Sequence, residues 1–183
     1  MSHYFLAVPL PDTIQAFLYK RGETLQSNYA FKSWVTRGDY HITLVFLGRI
    51  DSTYIEYFQK EMASVIRRHP MFRMTIDGLD VFGKSDQPRV LWNDVIVDDG
   101  LYDLQRDLHE KCTELGFDLD RRPYRPHITL ARKWDSQTYF EHDDIENEYG
   151  DGPDWLVDEV VLYHSRPGQL PRYKPISTFP LQD

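Results

Sequence analysis

The sequence predicts an α+β fold built on antiparallel sheets. Its strand-like segments occur in adjacent pairs and do not alternate strictly with helices, which disfavours a doubly wound parallel sheet. The tetrapeptide His-Ile-Thr-Leu also occurs twice, at His41 and at His127. Each copy lies in a strand-like run, so we expect two similar halves related by a pseudo-two-fold axis. The 183-residue chain has no low-complexity tract or linker, and residues 1–183 are predicted to form one domain of two lobes.

Apolar periodicity and turn residues predict the elements of the first half. They are a strand at 4–8 stopped by prolines, a helix capped by Asp12, a strand at 39–47 closed by Gly48, and a helix from Asp51 to about Arg68.

The second half follows from the same signals. Its elements are strands at 72–82 and 89–97, a helix introduced by Asp99 and ended by Gly116, and strands at 127–132, 156–165 and 173–179.

Composition limits the functional classes. The formal net charge of −8 argues against a protein that coats long nucleic acid, although recognition of one terminal phosphate needs only a few cations. No apolar run approaches the roughly 20 residues that span a bilayer. The first residues lack the pattern of a secretory signal, and the single cysteine excludes an intramolecular disulfide. We therefore expect a cytoplasmic monomer that does not contact membranes.

The charges are unevenly distributed. Five basic residues and no acidic one lie between Arg121 and Lys133, around the second motif, which suggests an anion site. Residues 134–160 contain ten carboxylates and no Lys or Arg, a pattern typical of a solvated surface. Within that stretch, His142-Asp143-Asp144 could suggest a metal site, but we expect a solvated loop and no metal.

Strand geometry gives the repeated motif its chemical meaning. Successive side chains of a strand point to opposite faces, so His41 and Thr43 share one face and Ile42 and Leu44 the other. The same holds for His127 and Thr129 in the second copy. If the apolar residues face the core, two imidazoles and two hydroxyls line one cleft.

Two imidazoles facing one phosphate suit acid–base catalysis of phosphoryl transfer. A neutral imidazole takes a proton from water while a protonated one gives a proton to the leaving oxygen, and the ordinary pKa of about 6.5 permits both states. The threonine hydroxyls can donate to phosphate oxygens, and Arg132 can offset charge. Neither a metal nor a cofactor is required.

Two other classes stay open. A metal-dependent phosphohydrolase would use the histidines as ligands, but neither motif contains a further ligand. A non-catalytic module that binds RNA ends or nucleotides is compatible with every feature. The sequence context supports no role for His3, His69, His109 or His164, and packing is the default interpretation of His164. Cys112 is expected to be a half-buried thiol without a catalytic role.

Aromatic residues near the motifs are candidates for stacking on a base. Phe46 should point into the core, because residues 41, 43 and 45 share the other face. Tyr124 and Trp34, expected in loops that enter the motif strands, are better candidates for binding the substrate. Arg125, two residues before His127, belongs to the basic cluster and is a further candidate.

Both motifs and their flanks resemble the two-histidine (2H) phosphoesterase superfamily, and within it the bacterial and archaeal RNA 2′,3′-cyclic phosphodiesterases, also called 2′-5′ RNA ligase-like proteins. The similarity runs nearly end to end. The matching segments are Phe5-Leu-Ala-Val-Pro-Leu-Pro11, Trp34, His41-Ile-Thr-Leu-Val-Phe-Leu-Gly48, Arg89-Val-Leu-Trp92, Arg125-Pro-His-Ile-Thr-Leu-Ala-Arg132, Val161-Leu-Tyr-His-Ser165 and Tyr173.

The resemblance implies a bilobal fold, with an antiparallel sheet in each lobe, helices outside and the active site in the central groove. It implies metal-independent opening of a terminal 2′,3′-cyclic phosphate to a 2′-phosphate, on RNA ends or small cyclic nucleotides. Carried over to this chain, it makes His41 the acid that protonates O3′ and His127 the base that activates water, while Thr43 and Thr129 bind phosphate oxygens. Reverse 2′-5′ ligation is chemically allowed, because the same acid and base serve both directions.

Overall fold

The computed structural model describes residues 3–135, 137, 139–141, 145 and 150–183. In chain order the elements are β1 (Tyr4–Pro9), α1 (Asp12–Asn28), β2 (Phe31–Trp34), β3 (His41–Gly48), α2 (Ile55–Ile66), β4 (Phe72–Gly83), β5 (Pro88–Val97), α3 (Asp99–Glu114), β6 (Ile128–Trp134), β7 (Asp154–Val157), β8 (Glu159–Ser165) and β9 (Tyr173–Pro180).

The strands form two sheets. A four-stranded sheet has the order β3-β1-β8-β9, and a five-stranded sheet has the order β2-β6-β5-β4-β7. Every neighbouring pair is antiparallel. Apolar residues of both sheets, among them Leu6, Ile42, Leu91 and Ile128, belong to one buried cluster. The predicted α+β class with two antiparallel sheets is confirmed.

The repeat in the sequence corresponds to a repeat in topology. In the first half, β1 and β3 pair and α1 lies between them in the chain; in the second half, β5 and β6 pair around α3 in the same way. Each motif lies at the start of the second strand of its pair, which is β3 in the first half and β6 in the second half. β2 breaks the symmetry, because it belongs to the first half and pairs with β6.

The helix starts differ from the prediction in two places. Asp12 is the first residue of α1 and not its cap, since Pro11 holds the N-cap position without a side-chain bond. The second helix begins at Ile55, because the Asp51 carboxylate accepts bonds from the backbone nitrogen and the hydroxyl of Thr53 and holds 51–54 in a turn.

The end of α3 agrees with the prediction. Gly116 has a φ of 91°, a left-handed conformation that glycine adopts at low cost. The Gly116 and Phe117 nitrogens donate to the carbonyls of Thr113 and Cys112, which satisfies the last turn.

Two strand predictions are wrong in detail. The strand expected at 156–165 is divided at Asp158 into β7 and β8, which join different sheets. Both pieces are apolar, so hydrophobicity alone does not reveal the change of sheet. β2 was not predicted; it has only four residues, and Trp34 therefore ends a strand and does not lie in a loop.

No helix among the described residues is long and apolar enough to cross a membrane.

Candidate active site

The strand-face prediction for the two motifs is confirmed. Ile42 and Leu44 are buried in the core, as are Ile128 and Leu130. The polar residues of each motif alternate with these apolar ones, so they point away from the core at β3 and at the start of β6, and they are only partly buried. They are His41, Thr43, His127 and Thr129. We call these four residues the paired-histidine site.

Both imidazoles are oriented by the same hydrogen bond. His41 Nδ1 lies 2.8 Å from the carbonyl oxygen of Asp39, and His127 Nδ1 lies 2.9 Å from that of Arg125. A carbonyl oxygen only accepts, so Nδ1 carries the hydrogen in each ring. Nε2 of the neutral ring is then the free acceptor. This arrangement suits a group that takes up or gives a proton at Nε2.

Each acceptor carbonyl belongs to a residue that is itself held in place. The Asp39 side chain is 5% exposed, and its carboxylate accepts bonds from the Thr36 hydroxyl and from the backbone nitrogens of Arg172 and Tyr173. The Arg125 guanidinium forms an ion pair with Asp80 at 2.9 Å.

Aromatic rings pack against each imidazole. The His41 ring lies 4.9 Å from the centroids of both Phe5 and Tyr173, the latter edge-on. The His127 ring meets Phe82 edge-on at 4.9 Å and Trp92 at 5.8 Å. These rings restrict the orientation of the imidazoles and exclude water.

Burial lowers the pKa of both histidines. The pKa of His41 falls to about 4, mainly because burial penalises the charged ring; the Asp39 carbonyl opposes this, while Arg132 and His127 lower the pKa further. The pKa of His127 is also lowered, chiefly by burial and next by the charges of Arg132 and Arg125. Both imidazoles are therefore neutral near pH 7 in the free protein. The charge of Arg132 acts on both rings and that of His127 acts on His41, so the three side chains belong to one site.

A β-bulge at the same position of each motif explains how Arg132 reaches the site. Along β3, Ala7 pairs with Thr43 and Leu6 with Val45, so Leu44 is an extra residue. Along β6, Trp92 pairs with Thr129 and Leu91 with Ala131, so Leu130 is the extra residue. A bulge reverses the alternation of side chains beyond it.

The reversal corrects the prediction for Phe46. Leu44 and Val45 are both buried, and Phe46 therefore turns to the face of His41 and Thr43, where it is 56% exposed. It does not point into the core, because strict alternation ends at the bulge.

Tyr124 connects the two motifs. Its hydroxyl donates to the carbonyl oxygen of Thr43 at 3.0 Å, although Tyr124 lies in the segment that enters the second motif. Burial raises the pKa of this hydroxyl. The Gln105 amide donates to the next carbonyl, that of Leu44, at 3.3 Å. The expected stacking role of Tyr124 stays a prediction; its ring lies near Tyr102.

A cavity of about 420 Å³ adjoins the paired-histidine site, between the end of β2 and the connection from β8 to β9. We call it the arginine cavity. It is lined by Ser33, Trp34, Val35, Thr36, Asp39, Arg132, Pro167, Gly168, Gln169, Leu170, Arg172 and Tyr173. Two predicted binding residues, Trp34 and Arg132, therefore share one cavity. The other two do not line it: Tyr124 contacts β3, and Arg125 lies 4.5 Å over the Trp92 ring.

Several nearby residues were not predicted for the site. Asp39 occupies the same position before His41 as Arg125 before His127, which was the one local signal available. Phe5, Phe82 and Arg172 come from distant strands or loops, and only the pairing of strands brings them near the histidines.

The remaining candidates that the structure describes give no competing site. Within the described ranges, no group of three or more His, Cys, Asp or Glu side chains is placed to hold a metal ion. His142-Asp143-Asp144 lies outside the described residues. Cys112 is fully buried and not half-buried, and burial raises its pKa to about 12. A larger cavity of about 630 Å³ between α2 and α3 contains neither motif.

Comparisons with a family model and with individual proteins point to the same family. A model described as the 2′-5′ RNA ligase superfamily matches residues 10–169. An RNA 2′,3′-cyclic phosphodiesterase of Geobacillus stearothermophilus is 37% identical over 180 residues, which are 98% of this chain and 57% of the relative. This chain thus spans little more than half the length of that relative. A protein of the same name from Bacillus subtilis is 32% identical over 98% of this chain and 96% of its own length.

Solved structures show the same fold. The protein TT0787 of Thermus thermophilus superposes with a TM-score of 0.80, at 23% identity, and the alignment covers 98% of each chain. LigT of Escherichia coli, solved with 3′-AMP, superposes with a TM-score of 0.79, at 24% identity, over 100% of this chain and 99% of that one. Because a family model covers most of the chain and two relatives match 98% of it, this chain belongs to the 2′-5′ RNA ligase superfamily.

Proposed function

We propose that this protein hydrolyses a terminal 2′,3′-cyclic phosphate of RNA to a 2′-phosphate by acid–base catalysis that needs no metal. The observation that supports this most directly is the pair of imidazoles in one site, each with Nδ1 bonded to a carbonyl and Nε2 free. The name RNA 2′,3′-cyclic phosphodiesterase, carried by both relatives above, supports the same activity.

In the proposed reaction, His127 Nε2 takes a proton from water as the water oxygen attacks phosphorus. The bond from phosphorus to O3′ breaks, and His41 gives its proton to O3′, which leaves the phosphate on O2′. Thr43 and Thr129 donate to the non-bridging oxygens, and Arg132 offsets their charge. The division into acid and base follows the family resemblance.

The electrostatics explain when His41 becomes an acid. With a pKa of about 4, it is neutral near pH 7 and has no proton to give from Nε2. An anionic phosphate placed between the two imidazoles favours the charged ring and raises its pKa. Substrate binding and protonation of His41 are therefore coupled, whereas His127 is already a neutral base.

We further propose that residues 1–183 act as a single bilobal domain, as a monomer in the cytoplasm. The single apolar cluster that includes both sheets supports one domain, and the lone buried Cys112 suits a reducing compartment. RNA ends and small cyclic nucleotides both suit the proposed chemistry.

The experiment uses purified protein, an excess of EDTA and an oligoribonucleotide that ends in a 2′,3′-cyclic phosphate. We expect complete conversion to the 2′-phosphate, followed by ³¹P NMR and chromatography. His41→Ala and His127→Ala should each abolish turnover while circular dichroism shows a native fold. An active single variant would contradict the paired acid–base scheme.

Two other outcomes distinguish the alternatives. Activity that disappears in EDTA and returns with a divalent ion would identify a metal-dependent phosphohydrolase. Tight binding of the cyclic end without turnover would identify a binding module.

A further inference from the structure

The arginine cavity begins where the paired-histidine site ends. Tyr173 lines the cavity and also meets the His41 ring edge-on at 4.9 Å. Arg132 lines it too, and its charge lowers the pKa of both histidines. A phosphate held between the imidazoles would therefore lie at the opening of the cavity.

The cavity has positive charge that the protein does not neutralise. Arg132 and Arg172 form no ion pair within the part of the chain that the structure describes, whereas Arg37 and Arg73 are each paired with an aspartate. The one carboxylate in the lining, Asp39, is already bonded by three donors. In a chain with a net charge of −8, two unpaired guanidinium groups around one cavity favour an anionic ligand.

The volume and the lining of the arginine cavity suit a ligand that is larger than a single ion. A volume of about 420 Å³ falls within the range of pockets that bind small organic ligands, roughly 300–1,000 Å³. Trp34 and Leu170 supply apolar surface, and Leu170 is 76% exposed. Ser33 and Gln169 supply polar groups. Apolar walls and arginines together suit a nucleoside that carries a phosphodiester.

We propose that the arginine cavity binds the nucleotide on the 5′ side of the terminal one, with Arg172 contacting the phosphodiester that links the two. This deepens the proposed function, on which it rests, because it makes the preferred substrate an RNA end and not a cyclic mononucleotide. Arg132 then contacts the reacting phosphate and Arg172 the next phosphate along the chain.

The test compares kcat/KM for cytidine 2′,3′-cyclic phosphate with that for a dinucleotide that ends in the same cyclic phosphate. The wild type should prefer the dinucleotide by about tenfold or more, and Arg172→Gln should reduce that ratio about tenfold, as expected for loss of one charged hydrogen bond. Arg121→Gln is the matched control, because Arg121 is exposed and outside the cavity, and it should keep the wild-type ratio.

Each outcome decides the proposal. A wild type without preference, or an Arg172→Gln variant that loses both substrates equally, would overturn the subsite. A wild type that turns over neither substrate would instead contradict the proposed function.

Discussion

The low pKa of His41 predicts a specific dependence of stability on pH. In the unfolded chain this imidazole is protonated below about pH 6.5, as in model peptides. In the folded protein its pKa is about 4, mainly because the ring is buried. Between these values the unfolded state binds more protons than the folded state. The contribution of His41 is therefore complete above about pH 6.5 and is lost as the pH falls towards 4.

The magnitude follows from the two pKa values. For one group with these values, the free energy of unfolding decreases by about 2 kcal/mol between about pH 7 and about pH 5. His41→Gln removes the titrating group and keeps a polar side chain. The variant should therefore lose about 2 kcal/mol less than the wild type over the same interval. Other groups that titrate there are common to both proteins and cancel in the comparison, and His127 enters only through its small effect on the pKa of His41.

The assay is urea denaturation at both pH values for wild type, His41→Gln and the control Thr43→Val, which alters the same strand face without removing a titrating group. The control should show the wild-type decrease. An identical decrease for wild type and His41→Gln would refute a strongly lowered pKa at His41. A larger decrease in the variant would refute the direction of the shift.

Three further predictions concern other contacts of the site and the core. Tyr124→Phe removes the hydrogen bond to the Thr43 carbonyl and should lower the free energy of unfolding by about 1 kcal/mol. Because that bond positions the first motif, kcat should fall more than KM rises. An unchanged free energy of unfolding together with an unchanged kcat would contradict the role. Phosphate binding near pH 7 should take up protons, because the bound anion raises the pKa of His41 and the neutral ring then takes a proton from the buffer. The uptake is measured as a dependence of the calorimetric enthalpy on the ionisation enthalpy of the buffer, and binding without proton uptake would argue against His41 as the acid. Cys112 should react with a disulfide reagent only after denaturation, because the thiol is fully buried and its pKa is raised to about 12; rapid labelling of the native protein would show that this region opens.

Local periodicity predicted most of the elements correctly. The apolar residues of each motif enter the core, so the faces of Ile42 and Ile128, and with them those of His41 and His127, follow from the sequence. Turn residues such as Gly48 and Gly116 lie at element ends because their positive φ angles suit glycine. These features depend on interactions between residues close together in the chain.

The errors in the strands and in side-chain direction have one common cause, which is pairing between distant strands. Phe46 faces the site because β3 bulges against β1, and nothing in the order of residues along β3 marks Leu44 as the extra residue. β2 exists because β6 provides a partner, and the segment around Asp158 changes sheets because β4 and β1 each bind one part of it.

The sequence by itself determined the paired histidines, the threonines that share their faces and the basic cluster beside the second copy. The tertiary structure decided the rest. It set the tautomer of each imidazole through the carbonyls of Asp39 and Arg125, and it lowered both pKa values through burial. It also placed Arg132 near both rings. Side-chain direction follows from local backbone geometry, but burial and proximity depend on which strands meet, and strand partners far apart in the chain are chosen only when the whole core packs.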